Sequence, residues 1–575
     1  MSSRISRREA TPVPEDLADA LHPVLARVLA ARDVHSVSEL DYGLEKLHPA
    51  TSLTGMDDAV ALLVDALENE KRILIVADFD ADGATGCAVA VRGLRLLGAA
   101  HVDYVVPNRF EFGYGLTPEI VAIAAQRSPD LLVTVDNGIS SVDGVAAAAA
   151  RDIPVIITDH HLPGERLPEA AAIVNPNQPG DSFPSKVLAG VGVMFYLLIA
   201  LRSSLRTAGW FEARGLKQPN LGALLDLVAL GTVADVVPLD VNNRILVSQG
   251  VSRIRAGRAQ PGVVALLEIA GRDRSRLTAS DLAFAVAPRL NAAGRLTDMA
   301  LGIECLLSDD AKAADEMAAT LDKLNRERRD IEGRMRDQAL AQVEALVLDS
   351  EEALPYGLCL YDDEWHPGVV GIVASRLKER LNRPVIAFAV DGEDTLKGSA
   401  RSVPGVHVRD ALDAVAAHHP GLISKFGGHA MAAGLSLDRA RFDEFRAAFD
   451  TEVRRHLGAG DLRGTILSDG PLETADIALP LARELRGAGP WGQGFPEPVF
   501  DGEFQVQSSR IVGEYHMKLS LSAGDRGPPV DAIAFNALDY WPKDAKVVRI
   551  AYKLDVNFFR GKETAQLIVE HAEAG

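Results

Sequence analysis

Two rhythms of apolar and polar residues alternate along the first third of the chain. Short, nearly continuous apolar runs have the length of buried strands: KRILIVA (71–77), HVDYVV (101–106), DLLVTV (130–135) and IPVIIT (153–158). Between them lie stretches with helical spacing: GATGCAVAVRGLRLLG (83–98), TPEIVAIAAQR (117–127), opened by Thr117 and Pro118, and SSVDGVAAAAAR (140–151). Strand and helix in turn, with short connections, predict a parallel sheet covered on both faces.

The pattern changes around this core. Residues 1–70 read as an N-terminal cap, helical and rich in Ala and Leu from about 15 onward, and helices dominate from 187 to about 300, which gives a first α/β domain over 71–307. Residues 308–350 contain one glycine and no proline, and Ser308 followed by two aspartates suits a helix N-terminus. At about 1.5 Å per residue this helix reaches roughly 60 Å and reads as a spacer. A second α/β domain follows over 351–458, with YGLCLY, VVGIVASRLKERL, PVIAFAV and the glycine-rich KFGGHAMAAG. Short alternating strands with turns then fill 462–575, an all-β module of barrel size.

Composition narrows the class. The chain has 575 residues, 47% hydrophobic and 24% charged, as expected of several globular domains. No apolar run is long enough to span a bilayer, and the N-terminus shows no apolar signal core. Its three cysteines have neither metal nor disulfide spacing, so the expected compartment is the reducing cytoplasm. A net charge of −20 argues against indiscriminate binding to polyanions, though a local basic groove remains compatible with it.

The chemistry lies where the strands end. KRILIVA runs into Asp78, Asp80 and Asp82; DLLVTV into Asp136; IPVIIT into Asp159, His160 and His161. Ligands of parallel sheets bind beyond the carboxyl ends of the strands, so these side chains share one edge. A lone aspartate after a strand is ordinarily a turn or helix cap; three at alternate positions, with acids and imidazoles ending two further strands, are not. Asp235, in GTVADVVPL, is a fourth candidate. Carboxylates with imidazole and no thiolate suit Mn2+, or Mg2+ where histidine contributes little. Two such ions, about 4 Å apart and sharing a carboxylate, hydrolyse phosphate esters.

DADG, VDNG, DHH and GTVADVVPL, in that order, resemble the DHH phosphoesterases, and APRLNAAGR (287–295) with GGHAMAAG (427–434) narrows the likeness to the family's single-strand-specific exonucleases. The resemblance runs from about residue 45 to near the C-terminus. It implies a DHH domain, a linking helix, a DHHA1-type domain and an OB-like barrel. It implies that Asp80 and Asp136 hold one metal, assisted by Asp78, while Asp82, Asp136, His160 and Asp235 hold another. Relatives with a histidine four residues before the second aspartate use it as a ligand; Val76 stands there, so the first metal has the weaker set. His161 would face the scissile phosphate and Asp159 would orient the histidines. Arg109, Arg289, Asn291, Ser399, Arg401, Gly428 and His429 would bind the substrate's phosphates and its 5′ end, with His366 a weaker candidate. In the β module Tyr515, His516, Lys518, Phe558, Phe559 and Arg560 are candidates for gripping a strand, although core packing is the commoner role of such aromatics. The basic stretch NRERRDIEGRMR (325–336) reads as a solvated helix face.

The function implied is 5′→3′ degradation of single-stranded DNA to 5′-mononucleotides. The strand would thread between the two α/β domains, in recombination and repair, beside a helicase and a single-stranded-DNA-binding protein. A monomer is expected. Two rivals stay open: a hydrolase of very short oligonucleotides, cyclic dinucleotides or pyrophosphate, which needs neither spacer nor β module, and a non-catalytic scaffold, which would have lost acidic positions that are all filled here.

Overall fold

A computed structural model of the chain describes residues 4–108, 115–348, 354–458, 461–513, 515–524, 527–537, 540–542 and 545–575. The chain folds as two compact units, one formed by Ala10–Asn325 with Pro480–Pro498, the other by Met1–Glu9, Arg326–Leu479 and Val499–Gly575.

In the first unit the predicted alternation forms a five-stranded, wholly parallel sheet. Its order is His101–Val105, Arg72–Ala77, Leu131–Val135, Val155–Thr158 and Ala172–Val174. The last strand, only three residues long, is too short to stand out as a pattern. Leu131–Val135 and Val155–Thr158 are buried along their whole length, which is why they read as unbroken apolar runs. Leu74, Val76, Leu132, Val155 and Ile157 meet Ile120, Val121, Ala124, Val145 and Ala148 of the helices Pro118–Ala125 and Val142–Ala149. Successive strand residues point to opposite faces, so the intervening residues meet the helices Ala81–Leu96 and Gly190–Thr207.

The second unit holds a five-stranded mixed sheet and a closed barrel. The sheet order is Lys425–Gly428, Ala432–Asp438, Thr395–Arg401, Val385–Val390, Leu358–Tyr361, antiparallel except for the last pair. Phe388, Phe442, Phe445 and Phe449 anchor its core. The barrel closes in the order Phe500–Val512, His516–Ala523, Pro529–Ala534, Lys562–Ala574, Val547–Phe559.

Three boundaries differ from the sequence reading. Arg4–Arg7, assigned to a helical cap, is a strand paired in parallel with Thr465–Ser468. Within the 462–575 module the first barrel strand is Phe500–Val512, and Pro480–Pro498 packs in the first unit. The long helix runs Ala311–Leu348; Asp310, not Ser308, caps it, accepting from Lys312 N at 2.8 Å. This helix is also more than a spacer, since Ala314, Ala318 and Leu321 are buried near its start and Met335, Ala339 and Val343 further along.

Candidate metal centre

Register alone places the first acids together. Ala77 pairs with Val135, and Val135 with Thr158, so Asp78, Asp136 and Asp159 follow three adjacent strands at one edge. Asp80 caps the helix Ala81–Leu96, accepting from Gly83 N at 3.0 Å. Asp82, in that helix's first turn, points at the start of another helix: Gly190 N and Val191 N donate to its two oxygens at 2.7 and 2.9 Å. Asp235 ends the helix Leu225–Ala234, its amide donating to Gly231 O at 3.0 Å. Two residues here hold left-handed backbone angles that favour glycine: Asp136 at φ 64° and Val236 at φ 61°. Such strain persists only where surrounding structure enforces it.

These elements converge. His160 Nε2 lies 3.1 Å from Asp136 Oδ1 and 3.4 Å from Asp235 Oδ2. Three sets of ligand atoms each fall within 4.8 Å of one another: Asp78, Asp80 and Asp136; Asp82, His160 and Asp235; Asp136, His160 and His161. Burial, with repulsion from Asp82 and Asp80, raises Asp136 well above the usual carboxylate range, and Asp235 rises for the same reasons. Burial and then Asp80 push Asp82 up to about 7, although two helix amides hold it. Unit charges 4.8 Å apart repel by about 3 kcal/mol at an effective dielectric of about 20. Five acids collected this way fit a cation: the donor set is carboxylate oxygen and imidazole nitrogen, as hard divalent ions require.

Asp159 behaves differently. Burial would raise it, but the hydrogen bond and charge of His161 outweigh that and hold it below the usual range. Burial likewise opposes protonation of His161, yet Asp159, 2.8 Å from its Nδ1, brings the imidazole up to about 9. The same carboxylate accepts from Ile139 N at 2.9 Å, His160 N at 2.7 Å and His161 N at 3.1 Å, so it organises both histidines.

Several supports were not foreseen. Asn175 Nδ2 donates to His161 O at 3.0 Å and Asn177 Nδ2 to His160 O at 2.6 Å, pinning the histidine backbone from the neighbouring strand's end. Buried Asn137 donates to Val76 O and Val135 O at 3.1 and 2.9 Å. The signal was VNPN (174–177), two asparagines about a proline where a strand stops. Gly190, flagged by no pattern, lets the helix approach Asp136.

The expected phosphate binders divide. Arg109 lies outside the described residues. Arg289 is buried and bound to Asp322, Nη2 to Oδ1 at 2.8 Å, with Nη1 donating to Ala285 O. Asn291 accepts from Ala81 N at 2.9 Å and holds the first turn bearing Asp82. In the second unit Ser399 and Arg401 lie on the strand beside the glycine-rich hairpin, Ser399 opposite Gly434 and Arg401 opposite Ala432. Arg401 Nη1 is 3.0 Å from Ser399 Oγ, and both face the start of the helix Val370–Leu381, where a Cβ on Gly371 would be 2.9 Å from that hydroxyl. Gly428, at φ 143°, shapes the hairpin, and His429 is exposed at its tip. His366 Nδ1 accepts from Gly368 N at 3.0 Å.

In the barrel Tyr515 and Phe559 are exposed, Arg560 stacks on Phe559, and His516 meets the exposed Phe535. Lys518 pairs with Asp531 at 2.6 Å. Of the basic helix stretch, Arg328 binds Glu332 at 2.6 Å and Arg336 binds Asp337 at 2.9 Å.

A parallel sheet that gathers acids and imidazoles beyond its strand ends defines a metal-dependent phosphoesterase of the DHH class. Family models agree: the DHH family N-terminal domain matches residues 72–232, the DHHA1 domain 354–455 and the RecJ OB domain 468–571. The chain belongs to the RecJ family. It is 55% identical to the single-stranded-DNA-specific exonuclease RecJ of Dickeya dadantii, over 98% of each chain, and 53% identical to that of Escherichia coli, again over 98% of each. Its fold matches a crystal structure of Thermus thermophilus RecJ with Mn2+, at TM-score 0.81 and 32% identity, covering 99% of this chain and 79% of that one. A Mg2+ complex of the same protein matches at TM-score 0.75 and 30% identity, over 99% and 78%. The cofactor is accordingly a divalent metal. Among the described residues no helix is long and apolar enough to cross a membrane.

Proposed function

We propose that this chain is a single-stranded-DNA-specific exonuclease that releases 5′-mononucleotides from the 5′ end. The convergence of Asp78, Asp80, Asp82, Asp136, His160 and Asp235 carries the reading. Asp78, Asp80 and Asp136 form one ligand set, and Asp82, His160 and Asp235 a second, with Asp136 shared, so two ions are expected. Bound there, divalent cations supply an activated water at neutral pH and neutralise phosphate charge.

The chain's own groups do the rest. Asp159 holds the His161 ring through its Nδ1 and raises its basicity, so the imidazole would face the position of the scissile phosphate and donate to the charge that develops there. The Gly190–Thr207 helix dipole and amides fix Asp82 in one rotamer. Ser399, Arg401 and the helix start at Gly371 form a cradle suited to a phosphate group. Tyr515 and Phe559 offer exposed rings on which bases could stack. The spacer helix and barrel favour long strands over dinucleotides. Action in the cytoplasm, as a monomer beside a helicase and a single-stranded-DNA-binding protein, belongs to the same reading.

The test is digestion of a single-stranded oligonucleotide with Mn2+, in 5′-blocked, 3′-blocked and duplex forms, with Asp136→Ala beside the wild type. Mononucleotides are expected unless the 5′ end is blocked, with the duplex intact and the variant inactive. Cleavage of dinucleotide-sized substrates alone would overturn the long-strand reading.

A further inference from the structure

The segment GPWGQGFPEP (489–498) directly precedes the barrel's first strand, yet it packs in the unit that holds the carboxylate cluster. What it touches there is the loop that leaves Asp235. Leu239 N donates to Gln493 O at 2.7 Å. A Cβ on Gly492 would stand 2.7 Å from Leu239 Cδ1, and one on Gly494, whose φ is +71°, 3.0 Å from Pro238 Cβ, so the two backbones run in close contact. Gly492 and Phe495 pair across a β-bridge. Phe495 is 1% exposed and stacks on Trp491, with ring centroids 4.9 Å apart and planes at 15°.

The other side of the loop is held by the same packing. The Arg244 guanidinium lies 4.3 Å from the Phe495 ring and its Nη1 donates to Leu239 O at 2.9 Å. Leu239 therefore has its amide held by Gln493 and its carbonyl by Arg244, while Pro238 O accepts from Asn243 Nδ2 at 2.9 Å. Arg32 Nε donates to Pro496 O at 2.7 Å, and its guanidinium lies 5.5 Å from the Trp491 ring, tying the segment to the N-terminal helices.

Between this brace and Asp235 stands Val236. A β-branched residue in the left-handed region is strained, and at 62% exposure its own packing does not hold it there. We propose that Trp491–Phe495 are positioning residues for Asp235: they fix Pro238 and Leu239, and through them the strained turn that aims the Asp235 carboxylate at His160. The inference rests on the metal-ligand reading of Asp235 given above, and it makes a segment some 250 positions downstream part of the metal centre's support.

The test uses the full chain. Mn2+ is titrated by calorimetry without DNA into the wild type, Phe495→Leu, Gly494→Ala and Asp235→Asn. Melting temperatures and oligonucleotide hydrolysis across a Mn2+ series are measured on the same samples. Both segment variants should weaken Mn2+ binding by about tenfold, the scale seen when the support of a metal ligand is removed. They should lose rate at low Mn2+, recover it at saturating Mn2+, and keep the wild-type KM for DNA. Gly494→Ala carries the test if Phe495→Leu does not fold. Variants that melt earlier but bind Mn2+ as the wild type does would overturn the inference and leave the segment as core packing. Unchanged binding in Asp235→Asn would instead remove the metal assignment itself, and with it anything for the brace to position.

Discussion

Gly190 stands so close to Asp136 that a β-carbon added to it would lie 2.6 Å from the aspartate's own Cβ and Oδ1. Its amide meanwhile donates to Asp82 at 2.7 Å. One residue without a side chain thus sets the spacing of two carboxylates on different elements. Gly190→Ala should displace one of them. A shift of even about 1 Å at a reacting centre can cost on the order of 100-fold in rate. Mn2+-dependent hydrolysis should fall by about that much, with a stability loss of about 1–3 kcal/mol from overpacking. A variant with wild-type turnover would show that the wedge between the acids is not needed.

Without metal, the centre should make the fold less stable as pH rises. The folded pKa of Asp82 is about 7 because burial, and then Asp80, penalise its charge, against an ordinary 3.8. The folded protein holds that proton more tightly than the unfolded chain does. Its contribution is therefore full below pH 3.8 and lost as pH rises through about 7. In chelator the melting temperature should fall across that window, and added Mn2+ should remove the fall. Asp501 has the opposite sign. Burial would raise it, but hydrogen bonds from Arg7, Ser468 and Arg549 hold it at about 2, so its contribution is present above 3.8 and lost as pH falls through 2. The two windows do not overlap, and a melting temperature in chelator that is flat from pH 4 to 7 would contradict the first.

The legible parts of this molecule are those where one short segment carries the whole signal. Strands buried on both faces read as apolar runs, and the acids beyond them read as chemistry because register needs only adjacent strands to bring Asp78, Asp136 and Asp159 together. What stayed hidden depends on distance in sequence. Nothing near residue 190 says that its amide will meet Asp82, and nothing in GPWGQGFPEP says that it will pack against Pro238 and Leu239 rather than in the barrel. Arg4–Arg7 is too short and too polar to read as a strand without its partner Thr465–Ser468.

Arg289 has a structural partner of its own inside the first unit. Its Nε and Nη2 reach Asp322 Oδ1 at 2.9 and 2.8 Å, and both side chains are buried. Removing one partner of a buried ion pair costs up to about 3–5 kcal/mol, because the other charge loses its nearest counter-charge. Arg289→Ala should lower the melting temperature, and Arg289→Met combined with Asp322→Leu should restore most of it, since two apolar side chains leave no charge behind. Thermal melts and oligonucleotide KM values on the same samples separate the roles. A raised KM at unchanged stability would return Arg289 to phosphate binding.

Asn177 offers the sharpest separation of support from chemistry. Its Nδ2 donates to His160 O at 2.6 Å, and its own N–H donates to Asn175 Oδ1 at 2.7 Å. His160 Nε2 sits 3.1 and 3.4 Å from Asp136 and Asp235, so a small rotation of the histidine backbone carries the imidazole away from both. Asn177→Ala removes the anchor and leaves a carbonyl without its donor, a loss of about 1–3 kcal/mol where the group stays buried. Mn2+ affinity should fall by about tenfold, since residues that orient a metal-binding histidine cost 10–100-fold when removed. Asn177→Asp, of the same size but no longer a donor to the carbonyl, should behave like the alanine variant. Calorimetric Mn2+ titration of the pair decides it: wild-type affinity in both would mean that Asn175 and Asp159 hold the histidine turn without Asn177.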